Sequence, residues 1–534
     1  MAIESESGGD VTGESHVIVT RNPATLEVND EIPEADAEAV EAAVADATAA
    51  QPAWGDVPLE DRLAVFERFQ ELLLERREAV AETVIAEVGK PAGEAVSAEV
   101  APALSAVEFC SERGADLLAE EIPLGALESV GESTVYREPV GVVGMITPWN
   151  YPFGIPASEV VPTLFAGNAV VLKPAEETTL TAFLLRDLLE EAGLPAELLQ
   201  VVPGRGEVTG QALAESSVDH LSFTGSTEVG THLEEITAGT DTTLCLECGG
   251  SDPAIVLPDA DLDLAADGIC WARFANAGQS CAAVKRVYAH VAIEPRLRRM
   301  LVERVENLRV GASDGDEGVV EVGPLISAEA VERLHSQVER SVEMGAEVLA
   351  GGEPLDREGH FYAPTVLTGV TDDMPVVREE TFGPVLPVMS YDDIDDAVER
   401  ANDTPYGLTG SVWTRDTDRG EAVARRIEAG TVTVNDHLYT FGLHATPWGG
   451  YKDTGGDFSH GRWGIESVTR AKHVHVAEGE TGLRSGRVRN LWWFPYDEKT
   501  SEVLGKAMEV MYGSSVTGKL RNAPSVLKEL LGNR

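Results

Sequence analysis

The sequence predicts an α/β protein built on parallel sheets with helices on both faces. Short apolar strands alternate with amphipathic helices from Ala169 onward, and a second stretch of this kind runs from Ala254 to about Asn435. The length, 534 residues, exceeds what one compact core accommodates and implies two or three domains.

Taken in order, residues 34–120 are rich in alanine with Glu and Arg faces and read as helices, residues 59–88 being an example. Residues 133–146 are β-branched and alternating, which predicts strand–turn–strand. Residues 169–172 form a strand and 181–192 a helix stopped by Gly193-Leu-Pro195. A strand at 199–202 follows, and the turn Gly204-Arg-Gly206-Glu-Val-Thr-Gly210 opens a further helix. A strand at 220–223 leads through Thr224-Gly-Ser226 into the next helix. Later strands are expected at 254–257, 284–291, 385–389 and 430–434.

Hydrophobic content of 43% and charged content of 25% are those of a globular chain. The apolar run 160–172 is broken by Pro162, Gly167 and Asn168, and no run reaches the ~18 residues of a membrane helix. The acidic, polar start is unlike a secretory signal, so a cytoplasmic location is expected. Ninety-one acidic residues face 41 basic ones, a net charge of −50, and only nine of the basic residues are lysines. Such a surface repels nucleic acid and anionic lipid. Its self-repulsion fades at ~1 M salt, where the screening length is about 3 Å, and the composition resembles that of proteins from salt-loving organisms.

From Arg484 the balance reverses, with nine basic and five acidic residues in the extension 484–534. Leu491-Trp-Trp-Phe-Pro-Tyr496 and a helical pattern at 501–511 read as an arm on a neighbouring subunit, a helix over a channel mouth, or a membrane-surface or partner-docking tail. The five cysteines suit buried positions rather than a disulfide framework. Cys245 and Cys248 form a C-x-x-C pair, but no second pair or His cluster completes a zinc site, so no metal is expected.

The glycine turn at 204–210 sits between a strand and a helix, where backbone N–H groups attract phosphate, yet it has one residue too many for the common dinucleotide fingerprint. Four further segments carry chemistry. Pro148-Trp149-Asn150-Tyr151-Pro152 presents an amide in an aromatic turn, and Leu172-Lys173-Pro-Ala-Glu176 places a Lys and a Glu after a strand. Leu246-Glu247-Cys-Gly-Gly250 sets a carboxylate among apolar and glycine residues, and Phe274-Ala-Asn-Ala-Gly-Gln-Ser-Cys281 puts a thiol after a turn.

In order and spacing these segments resemble the signatures of the aldehyde dehydrogenase superfamily. So do Asn22-Pro-Ala-Thr25, Gly89-Lys-Pro91, Glu380-Thr-Phe382-Gly-Pro384, Gly430-Thr-Val-Thr-Val-Asn435 and Pro447-Trp-Gly-Gly450, and the likeness covers roughly residues 20–475. It implies NAD-dependent oxidation of an aldehyde to a carboxylic acid. Cys281 would add to the carbonyl, giving a thiohemiacetal and then a thioester. The Asn150 amide and the Cys281 backbone N–H would hold the oxyanion. Glu247 would assist hydrolysis, a carboxylate in an apolar setting being a stronger base. Whether Cys281 is activated by a lowered pKa or by a nearby base stays open. Cofactor contacts would come from Trp149, Lys173, Glu176, Gly206, Gly210, Gly225, Ser226, Glu380 and Phe382. Glu176 would repel a 2′-phosphate, favouring NAD over NADP. Tyr151, Ile155, Ser158 and Phe441 would line the substrate channel, with no arginine pair to grip a second carboxylate.

The implied organisation is a Rossmann-type cofactor domain (1–120 and 141–247), an α/β catalytic domain (248–466) and a β-strand oligomerisation arm (121–140 and 467–483), assembled as a homodimer or homotetramer. The Asp453–Gly461 segment departs from the common Gly-Arg-Glu run and ends in His-Gly. Two other readings stand: a catalytically silent relative kept for structure or binding, and a coenzyme A-acylating enzyme. Intact Cys281, Glu247 and Asn150 oppose the first, and Glu247 opposes the second.

Overall fold

The computed structural model describes residues 17–121, 132–313, 318–476 and 498–531. They fall into two compact units, residues 1–114 with 139–468, and residues 115–138 with 469–534.

The first unit opens with an antiparallel hairpin, Val17–Arg21 against Val28–Pro33. The helix Ala37–Gly55 follows, started by Asp36, whose carboxylate accepts from Ala39 N at 2.9 Å and satisfies one of the free N–H groups of the first turn. The expected helical run 59–88 is two helices, Leu59–Glu75 and Arg77–Val88, broken at Arg76 (φ −110°, ψ 16°). Gly89 ends the second in the left-handed conformation.

Five parallel strands make the next layer, in the order Leu199–Val201, Ala169–Lys173, Val142–Ile146, His220–Thr224 and Thr243–Glu247. Val142–Ile146 and Ala169–Lys173 are buried throughout, as expected of parallel strands covered on both faces. A seven-stranded sheet runs Glu347–Ala350, Thr365–Thr368, Val385–Tyr391, Val284–His290, Asp252–Val256, Thr409–Trp413 and Thr431–Val434. Only Glu347–Ala350 is antiparallel to its neighbour. The largest apolar cluster surrounds this sheet, centred on Ile255, Tyr288, Leu386 and Trp413.

In the second unit three strands pair in the order Thr469–Val476, Glu132–Pro139 and Ala119–Glu121. Lys472 Nζ meets Glu138 at 2.6 Å across the first pair. The helices Glu498–Tyr512 and Val516–Leu531 pack on each other, and the expected pattern at 501–511 lies in the first. The aromatic segment 491–496 lies outside the described residues. No described helix is long and apolar enough to cross a membrane.

Candidate active site

The five-stranded sheet brings three of the expected segments to one edge. Register sets Ile146 opposite Lys173 and Phe223, and Thr224 opposite Glu247. The 147–151 turn, Lys173 and Glu247 therefore share the carboxyl ends of the strands, where open α/β sheets bind ligands.

The thiol is delivered by a turn that L-residues rarely adopt. After the helix Leu262–Phe274, three successive residues are left-handed: Asn276 (φ 51°), Ala277 (φ 53°) and Gly278 (φ 73°). A Cβ on Gly278 would stand 2.4 Å from the Gly383 carbonyl oxygen, so only glycine fits. Such strain persists where surrounding groups fix it. Asn276 N donates to Glu94 Oε2 at 2.7 Å, and Asn276 Nδ2 donates to the carbonyls of Asn150 (2.9 Å) and Gln279 (3.0 Å). Lys90 Nζ donates to the Asn150 carbonyl at 2.7 Å and pairs with Glu99, both side chains being fully buried. The other Glu99 oxygen accepts from Phe153 N (3.0 Å) and Gly154 N (2.7 Å). The turns carrying Cys281 and Asn150 are thus tied to each other. Asn150 Nδ2 donates one proton to the Gln279 carbonyl at 3.1 Å, which leaves its second N–H for an oxyanion.

Burial pushes the Cys281 thiol up to about 12, with Lys285 opposing and the carboxylates of Glu380, Asp252 and Glu247 adding to the rise. Of the two activation routes left open by the sequence, this rise favours a nearby base over a lowered pKa. Glu247, 4% exposed, has its carboxyl held well above the ordinary range, first by burial and then by Glu159. Its Oε1 accepts from Ser459 Oγ at 3.1 Å, while Oε2 has no protein partner.

The cofactor candidates form three groups. Lys173 is 5% exposed, and its ammonium makes no hydrogen bond or ion pair with another described residue, an unusual state for a buried cation. Burial lowers its pKa, with Glu176 the first opposing charge. The Gly206–Gly210 turn passes below it, and a Cβ on Gly210 would lie 3.9 Å from Lys173 Cδ. In the second group, Glu380 Oε1 accepts from Gly250 N at 3.1 Å, and a Cβ on Gly249 would stand 2.5 Å from Glu380 Oε2. Phe382 and Trp149 meet edge to face at 5.6 Å. In the third, Gly225 N donates to the Glu247 carbonyl at 3.0 Å, and Ser226 Oγ caps the helix Thr227–Thr237 by accepting from Val229 N at 3.4 Å. Those two brace the turn through these atoms. A free ammonium, glycines that keep side chains away and a capped helix N-terminus suit an anionic dinucleotide.

Among the channel candidates, Tyr151 lies beside Ser280 and Cys281, with Lys90 Nζ 3.9 Å from its ring centre. Phe441 packs on the Ala282–Leu408–Trp448 cluster that Cys281 also touches. Ile155 and Ser158 are buried in the helix Gly154–Phe165, where Ser158 Oγ donates to the Gly154 carbonyl at 2.6 Å. Cys110, Cys245, Cys248 and Cys270 are all buried. Among the described residues no group of three His, Cys, Asp or Glu could hold a metal ion.

Sequence reasoning missed Lys90, Glu94, Glu99, Asn276, Lys285 and Ser459. Lys285 Nζ donates to the carbonyls of Ser280 (2.8 Å) and Cys281 and stands 3.7 Å from Glu380. Lys90 had a signal, a lysine before proline within Gly89-Lys-Pro91; Glu94 and Ser459 are ordinary polar residues whose partners lie far off in sequence.

Comparison with known proteins fits this geometry. The model of the "Aldehyde dehydrogenase family" matches residues 11–474. A "Putative succinate-semialdehyde dehydrogenase [NADP(+)]" of Mycolicibacterium smegmatis is 40% identical over 445 residues, covering 83% of this chain and 85% of its own. A Sinorhizobium fredii protein, "Probable succinate-semialdehyde dehydrogenase [NADP(+)]", is 36% identical over 89% of this chain and 96% of its own. The crystal structure of a Mycobacterium tuberculosis aldehyde dehydrogenase complexed with NAD+ superposes with TM-score 0.82 at 36% identity, covering 88% of this chain and 96% of that one. By this family match over most of its length, the chain belongs to the aldehyde dehydrogenase family, NAD(P)-dependent oxidoreductases that convert aldehydes to acids.

Proposed function

We propose that Cys281 is the nucleophile, Asn150 and the Cys281 backbone N–H the oxyanion donors, and Glu247 the base that first draws the thiol proton and then activates water. The observation that carries this reading is the knot of hydrogen bonds joining the Asn150 and Cys281 turns, with Glu247 close enough for its charge to act on the thiol. Bound NAD(P) supplies the hydride acceptor. Lys173 and Glu176 would hold the adenosine ribose, the Gly206–Gly210 and Gly225–Ser226 turns the diphosphate, and Glu380 the nicotinamide ribose, with Phe382 and Trp149 beside the ring.

The relatives' names set NADP level with NAD, against the preference drawn from Glu176 alone. Within this chain Glu176, Glu177, Glu34 and Glu207 act on Lys173, and Arg205 is occupied by Glu34 at 2.8 Å. Both NAD and NADP stand as cofactors for this chain.

Relatives are named for succinate semialdehyde. The channel candidates here carry no cation to receive a distal carboxylate, which supports an uncharged aldehyde. The test is an aldehyde panel, succinate semialdehyde included, with NAD or NADP in molar salt, following reduced nicotinamide. Turnover that needs added coenzyme A would replace hydrolysis with acyl transfer, and no turnover with any aldehyde would favour a silent relative. The strand arm supports a homo-oligomer, to be measured by light scattering.

A further inference from the structure

Each turnover converts RCHO + NAD+ + H2O into RCOO− + NADH + 2 H+. If Glu247 takes these protons, it must release them before the next cycle, and it is 4% exposed. Ser459, which bonds its carboxylate, lines a cavity of about 30 Å³, enough for one or two waters. Its wall includes Glu159, Ser222, Cys245, Ser459 and His460.

Three observations make this a route rather than a packing defect. Ser459 Oγ, which donates to Glu247 Oε1 at 3.1 Å, belongs to a residue on the cavity wall. Both ring nitrogens of His460, also on the wall, lack a protein partner although the residue is 4% exposed, and its backbone is held at φ 63°. The wall also carries a second carboxyl, the half-buried Glu159, accepting from Ser222 Oγ at 2.7 Å and Thr224 Oγ1 at 3.2 Å. Thr224 is the register partner of Glu247 on the adjacent strand, so Glu159, reaching from the helix Gly154–Phe165, bonds a residue at the strand end next to Glu247.

We propose that Glu159 is the station to which Glu247 passes its proton, through the Ser459 hydroxyl and water in this cavity. When water adds to the thioester, its proton moves to Glu247, the C–S bond breaks and the sulfur leaves with the electron pair. The proton on Glu247 then shifts along the hydroxyl and water to a Glu159 oxygen and on to solvent, so no oxidant or further reactant is needed. Glu159 acts through Glu247 and does not touch the substrate. The ionisable groups facing the cavity are Glu159, His220, Cys245 and His460, with Asp457 acting on Glu247; burial keeps His220 and His460 neutral. Burial also raises the Glu159 carboxyl, as suits a group that must hold a proton near neutrality.

The proposal rests on Glu247 as the base. The test compares rapid-mixing kinetics of the full-length Glu159→Gln, Glu159→Ala and Glu159→Asp proteins with Glu247→Gln. Glu159→Gln should keep a full first-turnover burst of NADH, because an amide can still bond Ser222 and Thr224, while steady-state turnover drops about 10- to 100-fold, a factor within general acid–base effects. Glu159→Asp should recover most of that loss, and formate should partly rescue Glu159→Ala. Glu247→Gln impaired but Glu159→Gln at the wild-type rate would sink the relay and keep the base. Loss of the burst in Glu159→Gln, unrelieved by Asp or formate, would show a structural role and overturn the relay. A normal Glu247→Gln would instead overturn the reading of Glu247 itself.

Discussion

At the residue scale, the site is a set of buried charges whose costs are offset locally. Replacing Cys281 by Ser should lower turnover at least about 10³-fold without changing the far-ultraviolet dichroism, since the serine hydroxyl is a far weaker nucleophile. As the proposed base, Glu247 would work only as a carboxylate, and burial raises its pKa. Turnover limited by hydrolysis should therefore climb with pH through a value above the ordinary carboxylate range, and a pH–rate profile of Glu247→Gln should lose that limb along with about 10²–10⁴-fold in rate. Glu176→Gln removes one negative charge near the adenosine ribose. It should raise the NADP/NAD ratio of kcat/KM by about tenfold, the effect of ~1.4 kcal/mol, and an unchanged ratio would count against Glu176 at that ribose. The Lys90–Glu99 pair is fully buried. Changing Glu99 to Gln strands an ammonium and should cost about 3–5 kcal/mol in denaturant titration.

At the element scale, some strands were legible because a parallel sheet buries both faces and leaves short apolar runs in the sequence, as in Val142–Ile146 and at 169–172. Thr243–Glu247, Glu347–Ala350, Thr365–Thr368 and Thr409–Trp413 were not, being short or rich in Thr, Glu and Ser. Cys281, Asn150 and Glu247 were legible because their neighbours form family signatures. The left-handed turn at Asn276–Gly278 was not, since a positive φ at Asn and Ala leaves no local mark in composition. Nor was Ser459, whose only distinction is a carboxylate 212 positions away. Gly278→Ala tests the turn: the Cβ meets the Gly383 carbonyl, so both melting temperature and activity should fall, by more than ~1 kcal/mol for the fold.

At the scale of the whole molecule, the net charge of −50 makes salt a structural variable. Melting temperature should rise steadily from ~0.1 to ~1 M salt, as the screening length shrinks from about 10 to 3 Å. Buried carboxyls add a pH term. Glu87 and Glu94 are pushed up to about 7 in the folded protein from 4.5, chiefly by burial. Between those values the native state binds more protons than the unfolded chain, so stability should decline as pH rises from about 4.5 to 7 and level off above. Glu87→Gln should remove part of that slope in a pH series of unfolding curves.

The bond between Ser459 and Glu247 also has a bearing on biosynthesis. A ribosome adds residues in order, so the strand ending at Glu247 emerges more than two hundred residues before the serine that orients its carboxylate. Thr454 behaves alike, accepting from Cys248 N at 2.7 Å and donating to the Gly249 carbonyl at 2.7 Å. The nascent polypeptide thus carries its proposed nucleophile and base on a half-built frame, which Ser459 and Thr454 join only about two hundred residues after Glu247. Closure of such long-range contacts is slow, and it should set the final step of refolding in vitro.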